Sequence, residues 1–530
     1  MSIILQNISF QHPDGDILFT DLSFSIEEGD KVALIGDNGT GKSTLLKLIS
    51  GEIPIQSGSV YREVDAYVVP QNIDEFSSLT VAEALKVDAK IIALHQILAG
   101  NVEPAYMELL GDDWDIEERV IKALHQWGLD SIRLEQTLST LSGGERVKVF
   151  LSGLTLHQPQ LVLMDEPTNH LDYVSKDLLY SWIEKTSAIV LIVSHDRELL
   201  DLLSGIYELS SLGIKYYSGN YTEYKEQKEI ELNAIENALK GKEVERKVAL
   251  KKQQKVAERR QKLDNRGKDL SIKKGIGKMG LDTRQDRAEK TSARYKSTQG
   301  DRVNALSGDI QSIKDKIAQH SVLKLHIESS DLHDNKILVE AKGLNFEYVK
   351  EKPLWKETLN FLIRSGERVL LRGINGSGKT TLLNLITGSV KPTIGKLDVA
   401  PLNWMYLDQD YLLLNPSWTV YEQAQNFNSK MPEHEVKCML HRSQLSESFW
   451  DKPCSSLSGG EKMKLSLCSL LISSVAPDLL ILDEPTNNID IHSIEILTET
   501  VRNYAGSILL VSHDDVFIQE VGIDYELELK

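Results

Sequence analysis

Short, almost wholly apolar runs recur twice along the chain in the same order, and each ends on a cluster of turn-forming or charged residues. Val32–Ile35 and Val369–Leu371 lead into glycine-rich segments. Leu161–Met164 and Leu479–Leu482 end in paired acids, and Ala188–Val193 and Ser507–Val511 end in Ser-His-Asp. Such runs, bounded by turn signals, predict strands, while Leu45–Ile49 and Leu382–Ile386 after the glycines read as helical. Two stretches follow a helical period instead. Ala89-Lys-Ile-Ile-Ala-Leu-His-Gln-Ile-Leu98 suits an amphipathic helix followed by a Gly100-Asn-Val-Glu-Pro104 turn, and Val303, Leu306, Ile310, Ile313 and Ile317 repeat at 3, 4, 3 and 4, the spacing of a coiled-coil seam.

The two series make the chain a duplicated ATPase. Gly36-Asp37-Asn38-Gly39-Thr40-Gly41-Lys42-Ser43-Thr44 and Gly373-Ile374-Asn375-Gly376-Ser377-Gly378-Lys379-Thr380-Thr381 both read G-x-x-x-x-G-K-[ST], 337 residues apart, between a predicted strand and a predicted helix. Their backbone N–H groups would close around ATP phosphates, with the lysine as a point charge and the helix dipole in support. Ser43 and Thr380 would ligate Mg2+, together with Asp165 and Asp483 at the ends of the acidic strands. Glu166 and Glu484 would orient the attacking water. Ser142-Gly143-Gly144 and Ser458-Gly459-Gly460, each at a helix start, could grip a phosphate from outside. His195 and His513 share the 318-residue offset of the acids and sit where a γ-phosphate sensor belongs. The offset falls to 316 between Ser142 and Ser458, so half one carries 22 extra residues. They lie at about 86–115 and read as a helical arm or as a lengthened subdomain.

At 530 residues, 41% hydrophobic and 26% charged, the composition is that of a globular protein. No apolar run approaches the roughly 18–20 residues that span a bilayer, and the N-terminus does not read as a secretion signal, so no membrane domain and a cytoplasmic location are expected. Three cysteines without C-x-x-C spacing suggest neither zinc nor disulfides. Charge changes the picture more. Residues 240–302 carry 21 Lys and Arg against 9 Asp and Glu, in a chain whose net charge is −18. A basic arm joining acidic bodies points to a polyanion at the arm, with a solvated spacer as the plainer account. This connection is expected to form two antiparallel helices with a tip over Asp264–Asp282. A first helix of about 38 residues would reach about 55 Å. Lys268, Lys273, Lys274 and Lys278 populate the tip, with Arg284 and Arg287 opening the return. Tyr295 is the only aromatic from Gly241 to Leu323, which suits phosphate contacts within a folded RNA better than base stacking.

In this order the motifs resemble those of ATP-binding cassette ATPases, with Gln71 and Gln409 matching the glutamine loop that would join the Mg2+ ligands. The resemblance implies an intramolecular head-to-tail sandwich in a monomer, in which Lys42 faces Ser458 and Gly460 while Lys379 faces Ser142 and Gly144. ATP would close the halves and hydrolysis release them. More narrowly, Asp-Glu-Pro-Thr-Asn-His-Leu-Asp at 165–172, Tyr217-Ser-Gly-Asn-Tyr221 before a charged helical linker, the arm and the lack of a membrane domain resemble the ABC-F family. That resemblance implies action at the ribosomal exit site, with the linker tip near rRNA and the P-site tRNA, either as a housekeeping translation factor or in protection from antibiotics. An energising subunit of a separate membrane transporter is the alternative. The expected architecture is α/β: cassette one at 1–225, a basic helical hairpin linker at 226–335 and cassette two at 336–530. Two departures stand out. Half two has Asn487-Asn-Ile-Asp490 where half one has Asn-His-Leu-Asp, which puts equal turnover of the sites in doubt. Tyr348, suited to stacking on adenine, is matched in half one by His12.

Overall fold

Leu161–Asp165 and Leu479–Asp483 are strands in which every residue is buried, and Ile189–Val193 and Ser507–Val511 are the same. A parallel strand covered on both faces has no wet side, which is why these segments read as continuous apolar runs rather than alternating ones. The computed structural model describes residues 2–12, 15, 17–101, 103–210, 213–274, 303–310, 313, 335–350, 352–409, 411–473, 476–487 and 489–529.

In half one the acidic strand pairs in parallel with the histidine strand, Asp165 opposite Val193. The histidine strand pairs in turn with the phosphate-loop strand Lys31–Ile35, Val32 opposite Leu191. Tyr67–Val69 lies outside the acidic strand, and Gly205–Ser210 and Gly213–Ser218 complete six strands on the other flank. Half two repeats the order with five parallel strands: Trp404–Leu407, Leu479–Asp483, Ser507–Val511, Arg368–Arg372 and Tyr525–Glu528. Parallel pairing brings the phosphate loop, the acids and the histidine to the carboxyl edge of three neighbouring strands, the usual ligand edge of such sheets.

Each half adds a three-stranded antiparallel sheet, ordered Ile17–Glu27, Ser2–Gln11, Ser57–Arg62 in half one and Leu359–Arg364, Ile337–Asn345, Ile394–Val399 in half two. The phosphate-loop helix Lys42–Ser50 buries Leu45, Leu48 and Ile49 in one cluster with Ile3, Leu5 and Ile8 of that sheet. Each such side chain stabilises by roughly 1.5–3 kcal/mol, so the loop sits on a fixed floor. The extra residues of half one form the helices Asp88–Leu98 and Pro104–Leu110, which pack together. Ile91 and Leu94 are buried there while Ile92 and Leu98 stay exposed.

Residues 1–222 and 323–530 form one compact unit, which contains both cassettes, and 223–322 form a second. The second unit corrects the expected tip. One helix runs unbroken from Tyr221 to Lys274 over 54 residues, about 80 Å at 1.5 Å per residue. Gly267, Lys268, Lys273 and Lys274 therefore belong to helix. A lone interior glycine costs only about 1 kcal/mol, and the surrounding Lys, Glu, Ala and Leu together with the absence of proline outweigh it. Lys278, Arg284 and Arg287 lie outside the described residues, as do the side chains of Lys268, Lys273 and Lys274. Of the seam, Leu306 and Ile310 are buried along with Ala249, and Lys242 pairs with Asp309 at 3.0 Å. Ile317 falls outside the described residues.

Candidate functional site

Each phosphate loop closes on its own lysine. Lys42 Nζ donates to the carbonyls of Gly36 at 2.6 Å and Asp37 at 3.0 Å, and Lys379 Nζ donates to that of Gly373 at 2.7 Å. Gly41 and Gly378 cap the following helices at φ 95° and 90°, left-handed values that favour glycine. A Cβ on Gly378 would also stand 2.7 Å from Leu354 Cδ2. Trp355 Nε1 donates to the Ser377 carbonyl at 2.8 Å and holds that loop from beneath. Burial lowers the proton affinity of both lysines, against the opposing pull of Glu166 on Lys42 and of Glu484 on Lys379.

The strand register aligns acid and histidine. The Glu166 amide donates to the Val193 carbonyl at 2.8 Å, and that of Glu484 to Val511 at 2.8 Å, one residue beyond each acidic strand. Both glutamates sit at φ 50°, a left-handed conformation uncommon for a non-glycine residue and concentrated at functional sites. Glu166 Oε1 lies 3.2 Å from His195 Nε2, and Glu484 Oε1 lies 3.4 Å from His513 Nε2. Neither oxygen makes a hydrogen bond. Burial first, then the neighbouring aspartate in half one, raises Glu166, while burial raises Glu484 to about 7. Burial, and after it the adjacent loop lysine, pushes both histidines down to about 3. These contacts therefore face a neutral imidazole with a buried carboxyl oxygen that has no partner, an arrangement suited to accepting a hydrogen bond from water.

The neighbouring aspartates differ between the halves as metal ligands. Asp165 Oδ1 is buried without a partner, and the Ser43 hydroxyl lies against this carboxylate and offsets part of the rise that burial causes. A hydroxyl, one carboxylate and phosphate oxygens form a donor set that fits Mg2+. In half two Asp483 instead accepts from Tyr406 at 3.0 Å, and Thr380 is exposed. Gln409 lines the site described next, whereas Gln71 is exposed at the bend before Ile73–Phe76.

The structure brings together residues of opposite halves. A cavity of about 250 Å³ is lined by Ser142, Gly143 and Gly144 from half one and by Asn375, Gly376, Gln409, Glu484 and His513 from half two. Asn375 Nδ2 donates to the His170 carbonyl at 2.7 Å across the join. At the second join, a Cβ on Gly460 would stand 3.5 Å from Asn38 Nδ2. The acids that cap the helices after each acidic strand complete the exchange: Asp172 acts on Lys379 and His513, and Asp490 on Lys42 and His195. Ser142 and Ser458 begin their helices in capping boxes with Glu145 and Glu461, which orients the first free N–H groups. Glu145 and Glu461 thus have a structural role. Lys176 and Arg197 were not singled out from sequence, and His170 and Asp172 were noted only as part of the motif at 165–172. For Lys176 a signal existed, since its counterpart at the 318-residue offset is Ile494.

Tyr348 donates to or accepts from Thr381 Oγ1 at 2.8 Å beside the phosphate loop and remains 71% exposed, so a ring face is open for a base. His12 stands edge-on to Phe10 at 5.8 Å. Tyr348→Ala is expected to weaken ATP binding to isolated half two about fivefold, the lower end of base–aromatic stacking. Fluorescent-nucleotide titration checks it, and unchanged affinity would remove the stacking role.

A family model, two relatives and a solved structure resemble this chain. The family model described as "ABC transporter" matches residues 19–169 and 357–487. The ribosome protection protein VmlR of Bacillus subtilis (strain 168) is 30% identical over 529 residues, covering 98% of this chain and 85% of that one. The ATP-binding protein Uup of Escherichia coli (strain K12) is 30% identical over 527 residues, covering 94% and 76%. Among solved structures, the archaeal ribosome recycling factor aABCE1, crystallised with ribosomal stalk protein aP1, aligns at a TM-score of 0.58 and 19% identity, over 98% of this chain and 87% of that one. At that identity the likeness is one of fold. No helix among the described residues is long and apolar enough to cross a membrane.

Proposed function

Because this chain belongs to the ABC-F family of ATP-binding cassette ATPases, we propose that its two cassettes clasp and release in the cytoplasm to move a basic helical linker into and out of the ribosome. The cassettes bind and hydrolyse ATP. Lys42 with Ser458 and Gly460, and Lys379 with Ser142 and Gly144, hold the phosphates of two nucleotides. Ser43 and Asp165 with Gln71, and Thr380 and Asp483 with Gln409, would hold Mg2+, which when bound would offset negative charge on the nucleotide phosphates. Glu166 and Glu484 orient the attacking water, and His195 and His513 report on the γ-phosphate.

The observation that carries the ribosomal reading is the 54-residue helix between the cassettes, which opens the segment with its surplus of basic residues. A connection between two packed cassettes needs no such length, whereas rRNA and tRNA backbones attract it. A relative named as a ribosome protection protein over 98% of the chain supports the same partner. The exit site, with the linker directed toward the P-site tRNA, is the location this reading favours, and the occasion is either normal translation or relief from a bound antibiotic.

The test traps the closed state. A Glu166→Gln, Glu484→Gln variant should sediment with ribosomes in ATP, and neutralising Lys268, Lys273, Lys274 and Lys278 in it should release most of the protein at about 150 mM salt with ribosome-free nucleotide binding intact. A trapped variant that stays in the top fractions, or travels with membranes, defeats the reading.

A further inference from the structure

Two acids follow the candidate sensor histidines, Asp196 and Asp514, and both are faced by cations from the same half. The Lys176 ammonium donates to Asp196 Oδ2 at 2.8 Å and, in the other half, to the His513 backbone carbonyl at 3.0 Å. Its side chain is 12% exposed, and it lines the same cavity as Glu484 and His513. Tyr180 donates its hydroxyl to the same Asp196 oxygen at 2.9 Å. One buried cation thus ties the turn that carries His195 to the turn that carries His513. Arg197 covers the second acid, 3.7 Å from Asp514, and reaches Glu520 at 2.6 Å.

The internal repeat exposes how one-sided this arrangement is. At the 318-residue offset Lys176 corresponds to Ile494 and Arg197 to Asp515. Ile494 is buried and has nothing to donate. A cation from half one therefore reaches the histidine turn of half two, and the equivalent position of half two returns none. The loop lysine of the served site touches the same histidine, with Lys379 Nζ 3.0 Å from His513 Nε2.

We propose that Lys176 is a positioning residue that acts across the sandwich, holding the His513 turn in register with the His195 turn, so that hydrolysis at the Lys379 site depends on a group from the opposite cassette. The ammonium works through the carbonyl of His513. The closed geometry favours it because a charged donor shared by two acceptors satisfies both only while the halves are in contact. The proposal rests on the assignment of His513 as a sensor, and it is independent of the ribosome.

Steady-state ATP hydrolysis by the full chain tests it. Lys176→Met is expected to lower kcat at least about fivefold with KM within about twofold, the pattern of a group that matters after binding, and Lys176→Arg is expected to keep most of the rate. Because Lys176→Met strands Asp196, a Lys176→Met, Asp196→Asn variant removes that burden. It should melt near the parent protein and still turn over slowly. In a His513→Ala background Lys176→Met should cost less than about twofold, since contacting groups are non-additive. Parental turnover in Lys176→Met, full recovery in the double variant, or an equal loss with and without His513 each overturns the proposal. Unchanged turnover in His513→Ala alone would remove the sensor assignment on which it rests.

Discussion

Replacing Glu166 and Glu484 together by Gln is expected to lower ATP turnover by about 10²–10⁴-fold, the range for losing a positioned proton acceptor, while ATP binding stays near that of the parent protein. Each carboxylate is anchored by its amide to the neighbouring histidine strand at 2.8 Å, and each is held at φ 50°. The backbone therefore leaves the side chain little choice of direction. Oε1 of each is buried without a hydrogen bond, an oxygen kept for something outside the protein. An amide preserves size and packing but removes the charge that draws a proton from water. Phosphate release and fluorescent-nucleotide binding check the two halves of the expectation, and a double variant that keeps a tenth of parental turnover would sink the assignment. The single variants decide whether the site with Asn487-Asn-Ile-Asp490 turns over at the same rate as the other.

The same substitutions carry a stability signature. Burial raises Glu484 from 4.5 to about 7 and raises Glu166 further. A folded-state value above the unfolded one contributes stability that is complete below about 4.5 and lost as pH rises through the folded value. At pH 8 the parent protein therefore bears a cost, of ionising two buried carboxyls or keeping them protonated, that the Gln pair does not. The double variant should melt higher than the parent at pH 8, with the gap narrowing toward pH 4.5. A gap that stays constant across that range would contradict the burial argument.

Gly144→Val is expected to cut kcat by roughly 10–100-fold while each loop still binds ATP. A Cβ at Gly144 would stand 2.8 Å from the His170 carbonyl oxygen and 2.9 Å from Asn375 Nδ2, closer than such contacts allow, and the first of these is backbone that cannot rotate away. The larger residue must push on the His170 backbone of its own half and on the Asn375 amide of the other, disturbing the join where Ser142 must meet the phosphate loop of half two. A displacement of about 1 Å in a positioned group costs on the order of a hundredfold. Valine is no worse than glycine in a helix, so the helix that begins after Ser142 should itself survive. At Gly460 the nearest atoms are Ser493 Oγ at 3.1 Å and Asp490 Oδ2 at 3.2 Å. Those side chains can give by a few tenths of an ångström, and Gly460→Val should cost less than Gly144→Val. Equal losses at the two glycines, or none at Gly144, would show that closure does not depend on these approaches.

The residues that sequence alone placed are those whose geometry is local. A strand, a glycine loop and a helix form one continuous unit, so Lys42 and Lys379, the acids after Leu161–Met164 and Leu479–Leu482, and the histidines after their strands could be read from spacing, and duplication removed the chance matches. The facing of each lysine to the opposite signature serine was implied by resemblance and could not come from spacing within one half. The contacts that His170, Asn38, Asn375, Lys176 and Arg197 make across the join escaped notice for the same reason. Their partners lie between about 200 and 450 residues away, as with Asn375 on His170 and Lys176 on His513, and no periodicity records such a pairing. The linker shows the converse error. Its glycines suggested a tip from Asp264, yet helix continues to Lys274, because propensity is summed over many residues and one glycine cannot outvote its neighbours. Sequence therefore determined what each half carries, since short-range backbone geometry is written in consecutive residues. Tertiary structure decided which groups of the two halves meet, because only the packing of one cassette on the other brings distant side chains within hydrogen-bonding reach.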